Sequence, residues 1–418
     1  MKSPVTRTRW TTAAAAAALT AALAVGVTSP ASAAPLGATA SAGASPSASV
    51  SASVSASTTA LPPLDPAAIR QALADRPAAD VSGGFVQVTG SAGKFTGASG
   101  PGINPDGRFR IGSISKVFTA TVMLQLAAEG KVDLDGTVQQ YLPGVLPAGF
   151  PPIKVGQLLN HTSGLPGGSV GWGNGGTGWF ADHRFDSWTP QQIVAGMAGE
   201  QMSFQPGTAQ QYNGMNTFVA GMIIEKVTGH SYAQEVHRRI IQPLGLHDTS
   251  VPKADDPRLP DAAAHPYLTV QDADGGSHQV DVTEQSPWPW AEGGLISSAP
   301  DLSRLFDALF RGRLLPPAQE ELLFTVPDVP DYQSSHCNTG PTAGRACMSM
   351  GLERAELNGL VVWGKTGSRP GWTSGVFATR DLSRTVVYSV NPTGLDGAEA
   401  PYWYGIATAA FGIGQQKP

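Results

Sequence analysis

The 418-residue sequence predicts an α+β fold, with one antiparallel sheet built from both chain ends, helices flanking it and a mostly helical subdomain inserted. Three observations predict it. Strand-like runs occur early, at residues 84–89 and 94–98, and return only late, at 359–363, 374–379 and 384–390. Between them lie short helical patterns and Gly/Pro-rich loops. A run at 117–126 is apolar nearly all round, which marks a buried helix rather than a surface one.

The first 33 residues read as a secretory leader. Lys2, Arg7 and Arg9 form a basic start, residues 13–27 an Ala/Leu/Val run, and Ala31-Ser32-Ala33 a cleavage site. A retained membrane anchor would need a longer and more apolar run. Residues 34–64 are Ala/Ser-rich and free of charge, the composition of a tether that cannot bury enough apolar surface to order itself. The folded part is expected over 65–418 and outside the cell, with cell-wall association as an option. Losing the three basic residues of the leader takes the formal charge from −5 to −8. An acidic surface without an arginine-rich stripe excludes nucleic acid as partner, no membrane contact is expected after cleavage, and a monomer is expected.

Within the folded part, Asp65-Pro66 supplies an N-cap and first-turn proline for a helix to residue 75. The two early strands follow. The buried helix ends at Glu129-Gly130-Lys131, with Gly130 as the C′ residue. Further helices are expected at 155–160, 190–199 and 216–228, and a last one at 402–411. Cys337 and Cys347, ten apart in a Ser/Asn/Gly/Pro-rich stretch, read as a disulfide in an exported protein. Two thiols without a second pair or a histidine cluster do not complete a metal set, so neither metal nor other cofactor is expected.

The chemistry concentrates where the buried helix begins. In Phe109-Arg110-Ile111-Gly112-Ser113-Ile114-Ser115-Lys116, Ser113 and Lys116 stand three apart on one helical face. A hydroxyl beside an amine is the minimum for an activated serine nucleophile. Later come His161-Thr162-Ser163-Gly164, then Phe204-Gln205-Pro206-Gly207-Thr208 followed by Tyr212, and then Gly364-Lys365-Thr366-Gly367-Ser368 after an apolar strand. Gly167-Gly168-Ser169-Val170-Gly171 fits the nucleophile-elbow pattern but follows no strand, and reads as a chance match.

With Ser-x-x-Lys, a later tyrosine and Lys-Thr-Gly in this order, the chain resembles the β-lactamase/DD-peptidase superfamily from about residue 66 to 413. It looks most like the secreted D-alanyl-D-alanine carboxypeptidases similar to class C β-lactamases. The resemblance implies a β-lactamase/transpeptidase-like fold and an acyl-enzyme on Ser113. Lys116 and Tyr212 would move the protons, with Lys116 and Lys365 lowering the phenol's pKa enough for a base role. The N–H groups of Ser113 and Ser368 would form an oxyanion hole, Lys365 and Thr366 would hold a substrate carboxylate, and Gly367 would leave room for the acyl chain. Trp290 would pack at the cleft rim and touch substrate, or else pack in the core. Substrates would be peptidoglycan-type peptides or small esters and amides, with β-lactams as inhibitors or substrates.

One departure stands out. The family writes Tyr-x-Asn, with the asparagine donating to the acyl-amide oxygen, whereas this chain reads Tyr212-Asn213-Gly214. Unless Asn213 or Asn216 substitutes, that bond is lost, which favours esters over peptides. Gly214→Asn is then expected to raise turnover of D-Ala-D-Ala peptides and to be tolerated by the backbone. The readings are therefore a carboxypeptidase or transpeptidase, an esterase, amidase or β-lactamase on the same fold, or a slowly acylating binding module.

Overall fold

The computed structural model describes residues 61–169, 175–333, 337 and 342–413. The expected leader, the tether up to residue 60, and Val170 and Gly171 of the elbow-like pattern lie outside the described residues. Pro66–Ala74 forms the first helix because the Asp65 carboxylate accepts from the N–H groups of Ala67 and Ala68 at 2.9 and 3.1 Å, beside a first-turn proline that has no N–H to satisfy.

Six antiparallel strands form the main sheet, in the order Phe95–Ser99, Val81–Thr89, Thr385–Pro392, Trp372–Ala378, Leu360–Arg369, Glu353–Leu357. The N-terminal hairpin thus pairs directly with the last strand, from Gly84↔Val390 to Thr89↔Thr385, and the sheet is built from both chain ends as expected. Its strands bury both faces by alternation. Val86, Val88, Val386 and Val390 join Ile69, Leu73, Ile406 and Ala410 of the two terminal helices. Phe85, Val376 and Val387 face the larger core on the other side.

That larger core is organised by Ser115–Ala128, in which eleven of fourteen residues are buried, Lys116 among them. The helix stops where Gly130 takes φ 69°, the left-handed conformation expected of a C′ glycine. Met215–Thr228, buried over its first ten residues, packs against it. Against the sheet packs a helix that was not anticipated from the sequence. Ala299–Phe310 is amphipathic, opened by the Ser298 hydroxyl accepting from Asp301 N–H and by a first-turn proline. The hairpin Tyr267–Gln271 with Ser277–Asp281 was likewise not anticipated.

Cys337 and Cys347 are joined by a disulfide. The bridge packs with Met348 against Tyr212, while Gln210 Oε1 accepts the N–H groups of Cys347 and Met348 at 2.9 Å each. Thiol titration of denatured, unreduced protein should find no free thiol; two titrating thiols would contradict the bridge. Closing so short a loop contributes about 3 kcal/mol at most on the chain-entropy estimate, so reduction should lower stability by no more than that.

Candidate active site

Ser113 lies in a one-turn 3-10 helix, Gly112–Ile114, immediately before the buried helix. The turn is squeezed against strand Leu360–Arg369. A Cβ on Gly112, whose φ is +50°, would stand 2.5 Å from Ser368 N, and one on Gly367 would stand 2.0 Å from Ile111 O. Two glycines are therefore required for the close approach that sets the backbone of Ser368 beside that of Ser113. Pairing with Glu353–Leu357 stops at Glu353↔Gly364, so the outer edge of residues 365–369 is left without a strand neighbour. Ser368 is exposed there.

The Ser113 hydroxyl has two partners. Lys116 Nζ donates to its Oγ at 3.0 Å, and the Tyr212 phenol donates to it at 2.6 Å. The Tyr212 ring lies between the two lysines, with Lys116 Nζ 5.0 Å and Lys365 Nζ 4.6 Å from its centre. His161 supports the ring at 4.8 Å between centroids. His161 itself sits at φ 59°, and its Nδ1 faces the backbone N–H of Asn213 at 3.3 Å and Asn216 Nδ2 at 3.1 Å. Two donors facing one nitrogen make Nδ1 the acceptor and give the histidine a structural part in holding the Tyr212 loop.

Sequence reasoning missed the ionic partner of each lysine, Glu353 for Lys365 and Glu292 for Lys116. Lys116 Nζ also donates to the Glu292 backbone carbonyl at 2.8 Å and forms an ion pair with the Glu292 carboxylate. Three acceptors thus surround one buried ammonium. Burial lowers the lysine pKa from its usual value, and the Glu292 charge opposes that shift. Tyr212 behaves otherwise than expected from its flanking cations. Burial outweighs the help of Lys365 and pushes the phenol up to about 12, with Glu292 adding to the rise. A buried lysine with a lowered pKa can take the serine proton; a phenol held this high is a donor.

The other predicted residues fall as follows. Lys365 is 3% exposed and paired with Glu353 Oε2 at 3.4 Å. Thr366 is half-buried and Gly367 buried behind the exposed Ser368. Trp290 packs its ring against Tyr232 at 5.2 Å and over Gly221, whose added Cβ would meet it at 2.7 Å. The core-packing alternative weighed for this residue is the arrangement seen. Its neighbour two residues on, Glu292, is the one that reaches the serine–lysine pair. Ser169 is bonded to Gly196 O at 3.1 Å.

Gly214 is explained by the same carboxylate. Its φ is −62°, so no backbone requirement keeps it bare. An added Cβ would instead lie 2.9 Å from both Cγ and Oε1 of Glu292. Nor do the nearby asparagines take over. Asn213 Nδ2 donates to Leu165 O at 2.6 Å, and Asn216 is buried between Ser163 and His161. The expectation that Gly214→Asn is a gentle change is therefore corrected: its side chain would enter space that Glu292 fills.

Comparison with known proteins agrees with this geometry. A family described as Beta-lactamase matches residues 65–411. A D-stereospecific amidohydrolase from Streptomyces sp. superposes with a TM-score of 0.70 at 35% identity, covering 83% of this chain and 98% of that one. Penicillin-binding protein 4* of Bacillus subtilis (strain 168) is 27% identical over 299 residues, 68% of this chain and 60% of its own. Esterase EstB of Burkholderia gladioli is 30% identical over 221 residues, 50% of this chain and 53% of its own. The chain thus spans little more than half the length of these two curated relatives.

Proposed function

We propose a function from one premise: the chain belongs to the β-lactamase family, and it is a serine hydrolase of that fold. Our reading is an exported, D-stereospecific amide hydrolase that works through an acyl-enzyme on Ser113. The observation that carries it is the double contact on Ser113 Oγ, from Lys116 at 3.0 Å and Tyr212 at 2.6 Å. In the acylation step Ser113 Oγ attacks the carbonyl carbon while Lys116, in its neutral form, takes the hydroxyl proton. Backbone N–H groups of Ser113 and Ser368 receive the developing oxyanion. Tyr212 passes its proton to the departing amine and is reprotonated by Lys116, which gives up the proton it took from Ser113. Water then enters by the reverse route and releases the acid.

Charge favours an amide leaving group over a free terminal carboxylate. Lys116 is paired by Glu292 and Lys365 by Glu353, so each lysine beside the serine already has a carboxylate partner. A site that selects a C-terminal carboxylate, as a D-Ala-D-Ala carboxypeptidase must, needs a surplus cation there. The amidohydrolase resemblance supports the same choice, and the Cys337–Cys347 bridge supports export.

The test offers purified protein four substrates in parallel: a D-amino acid amide, its L enantiomer, a D-Ala-D-Ala peptide and a chromogenic cephalosporin. Turnover of the D-amide at least about tenfold above the rest is expected. Preference for the peptide would return the carboxypeptidase reading, and preference for the cephalosporin a β-lactamase.

A further inference from the structure

We propose that Glu292 is a specificity-determining residue whose carboxylate receives the free, protonated α-amino group of the substrate's acyl part, so that unacylated amino acid amides are preferred over N-acylated ones. The proposal rests on the reading of Ser113 as the acylated serine. It starts from position. Both Ser113 Oγ and a Glu292 oxygen contact the same Lys116 nitrogen. The carboxylate is therefore one nitrogen away from the nucleophile. An α-amino nitrogen is carried next to the carbonyl carbon, which must approach Ser113 Oγ to about 3 Å, and so falls within the carboxylate's reach.

The second observation is availability. Glu292 Oε1 is taken by Lys116, but Oε2 has no hydrogen bond among the described residues, and the side chain keeps 19% exposure. The carboxylate is also held in place. Lys116 anchors one oxygen and the same residue's backbone carbonyl, and Gly214 clears the space for its stem. A substrate therefore meets a pre-set acceptor rather than a mobile surface acid.

Chemistry sets the direction of the preference. An asparagine at position 214 would offer N–H donors to an acyl-amide oxygen, whereas an ionised carboxylate can only accept. An N-acyl carbonyl placed against it would bring two acceptors together. An α-amino group, with a pKa near 7.7–8.0, is largely protonated at neutral pH and supplies a charge-assisted bond. Such a bond is worth about 10- to 100-fold in kcat/KM.

The experiment compares kcat/KM for D-phenylalanine amide and N-acetyl-D-phenylalanine amide in the wild type, Glu292→Gln and Gly214→Asn/Glu292→Ala. Hydrolysis of p-nitrophenyl acetate, which has neither group, serves to normalise any change in Lys116. The wild type should prefer the free amine by about 10- to 100-fold. Glu292→Gln should erase most of that ratio, and the double variant should reverse it. Should Glu292→Gln lose all turnover, the same ratio is read as binding. Calorimetry on Ser113→Ala, with and without Glu292→Gln, should show the free amine losing affinity and the N-acetyl amide gaining it. A ratio unmoved by both variants, in protein that still forms the Ser113 adduct and turns over the ester, would overturn this inference alone. Absence of a Ser113 adduct in the wild type would overturn the functional reading with it.

Discussion

Replacing Ser113 by alanine is expected to abolish covalent labelling by a penicillin and to lower amide turnover by about 10⁴-fold or more. Labelling is read by intact mass, and the adduct in the parent protein should map to the peptide containing Ser113. Lys116→Ala should cost about 10²–10⁴-fold, the usual contribution of a positioned proton acceptor. The double variant should be little worse than Ser113→Ala, because the two residues act as one unit. The size of the effect follows from the local fold. The hydroxyl sits in a 3-10 turn between a buried lysine and a buried phenol, and among the described residues no second serine is so placed. An adduct persisting in Ser113→Ala, on Ser169 or elsewhere, would sink the assignment.

Much of this site was legible because its parts are local. Ser113 and Lys116 are one helical turn apart, so their contact follows from spacing alone. Gly112 and Gly367 stand in short motifs whose bareness has a local consequence. What escaped was the carboxylate partner of each lysine. Glu292 lies 176 positions from Lys116, and no periodicity relates them. The motif residue beside it, Trp290, drew attention instead, although its ring serves the core. Glu353 meets Lys365 because strand register sets Glu353 opposite Gly364, and register is a tertiary fact. Gly214 shows the same limit: its missing side chain was readable, but the reason for it lay on another segment. The sheet was legible at both ends through alternation. The helix Ala299–Phe310 carried its cap and first-turn proline in plain view, yet only its place against the sheet gives it weight.

Tyr212→Phe is expected to slow amide hydrolysis by about 10²–10⁴-fold while slowing acylation by p-nitrophenyl esters far less. The difference lies in the leaving group. An expelled amine must be protonated as the C–N bond breaks, whereas p-nitrophenolate departs as a stable anion. The phenol can supply that proton because burial pushes its pKa up to about 12, so it remains protonated throughout the working range. Lys116 has the complementary bias: burial lowers its pKa from 10.5. The base is active only when neutral, so kcat/KM should rise with pH through the lowered lysine value. For a substrate without an ionisable amine the rate should then hold level above the lysine value, since a phenol at about 12 stays protonated. Glu292→Gln removes the charge that opposes the lysine's shift, so the acid limb should move to lower pH. The measurement is kcat/KM against pH for one N-acetyl amide and one ester, in the wild type, Tyr212→Phe and Glu292→Gln. A rising limb that disappears in Tyr212→Phe and stays in place in Glu292→Gln would mean that the rate rises on ionisation of the phenol. Tyr212 would then be the base, and the division of labour argued from its burial would be reversed.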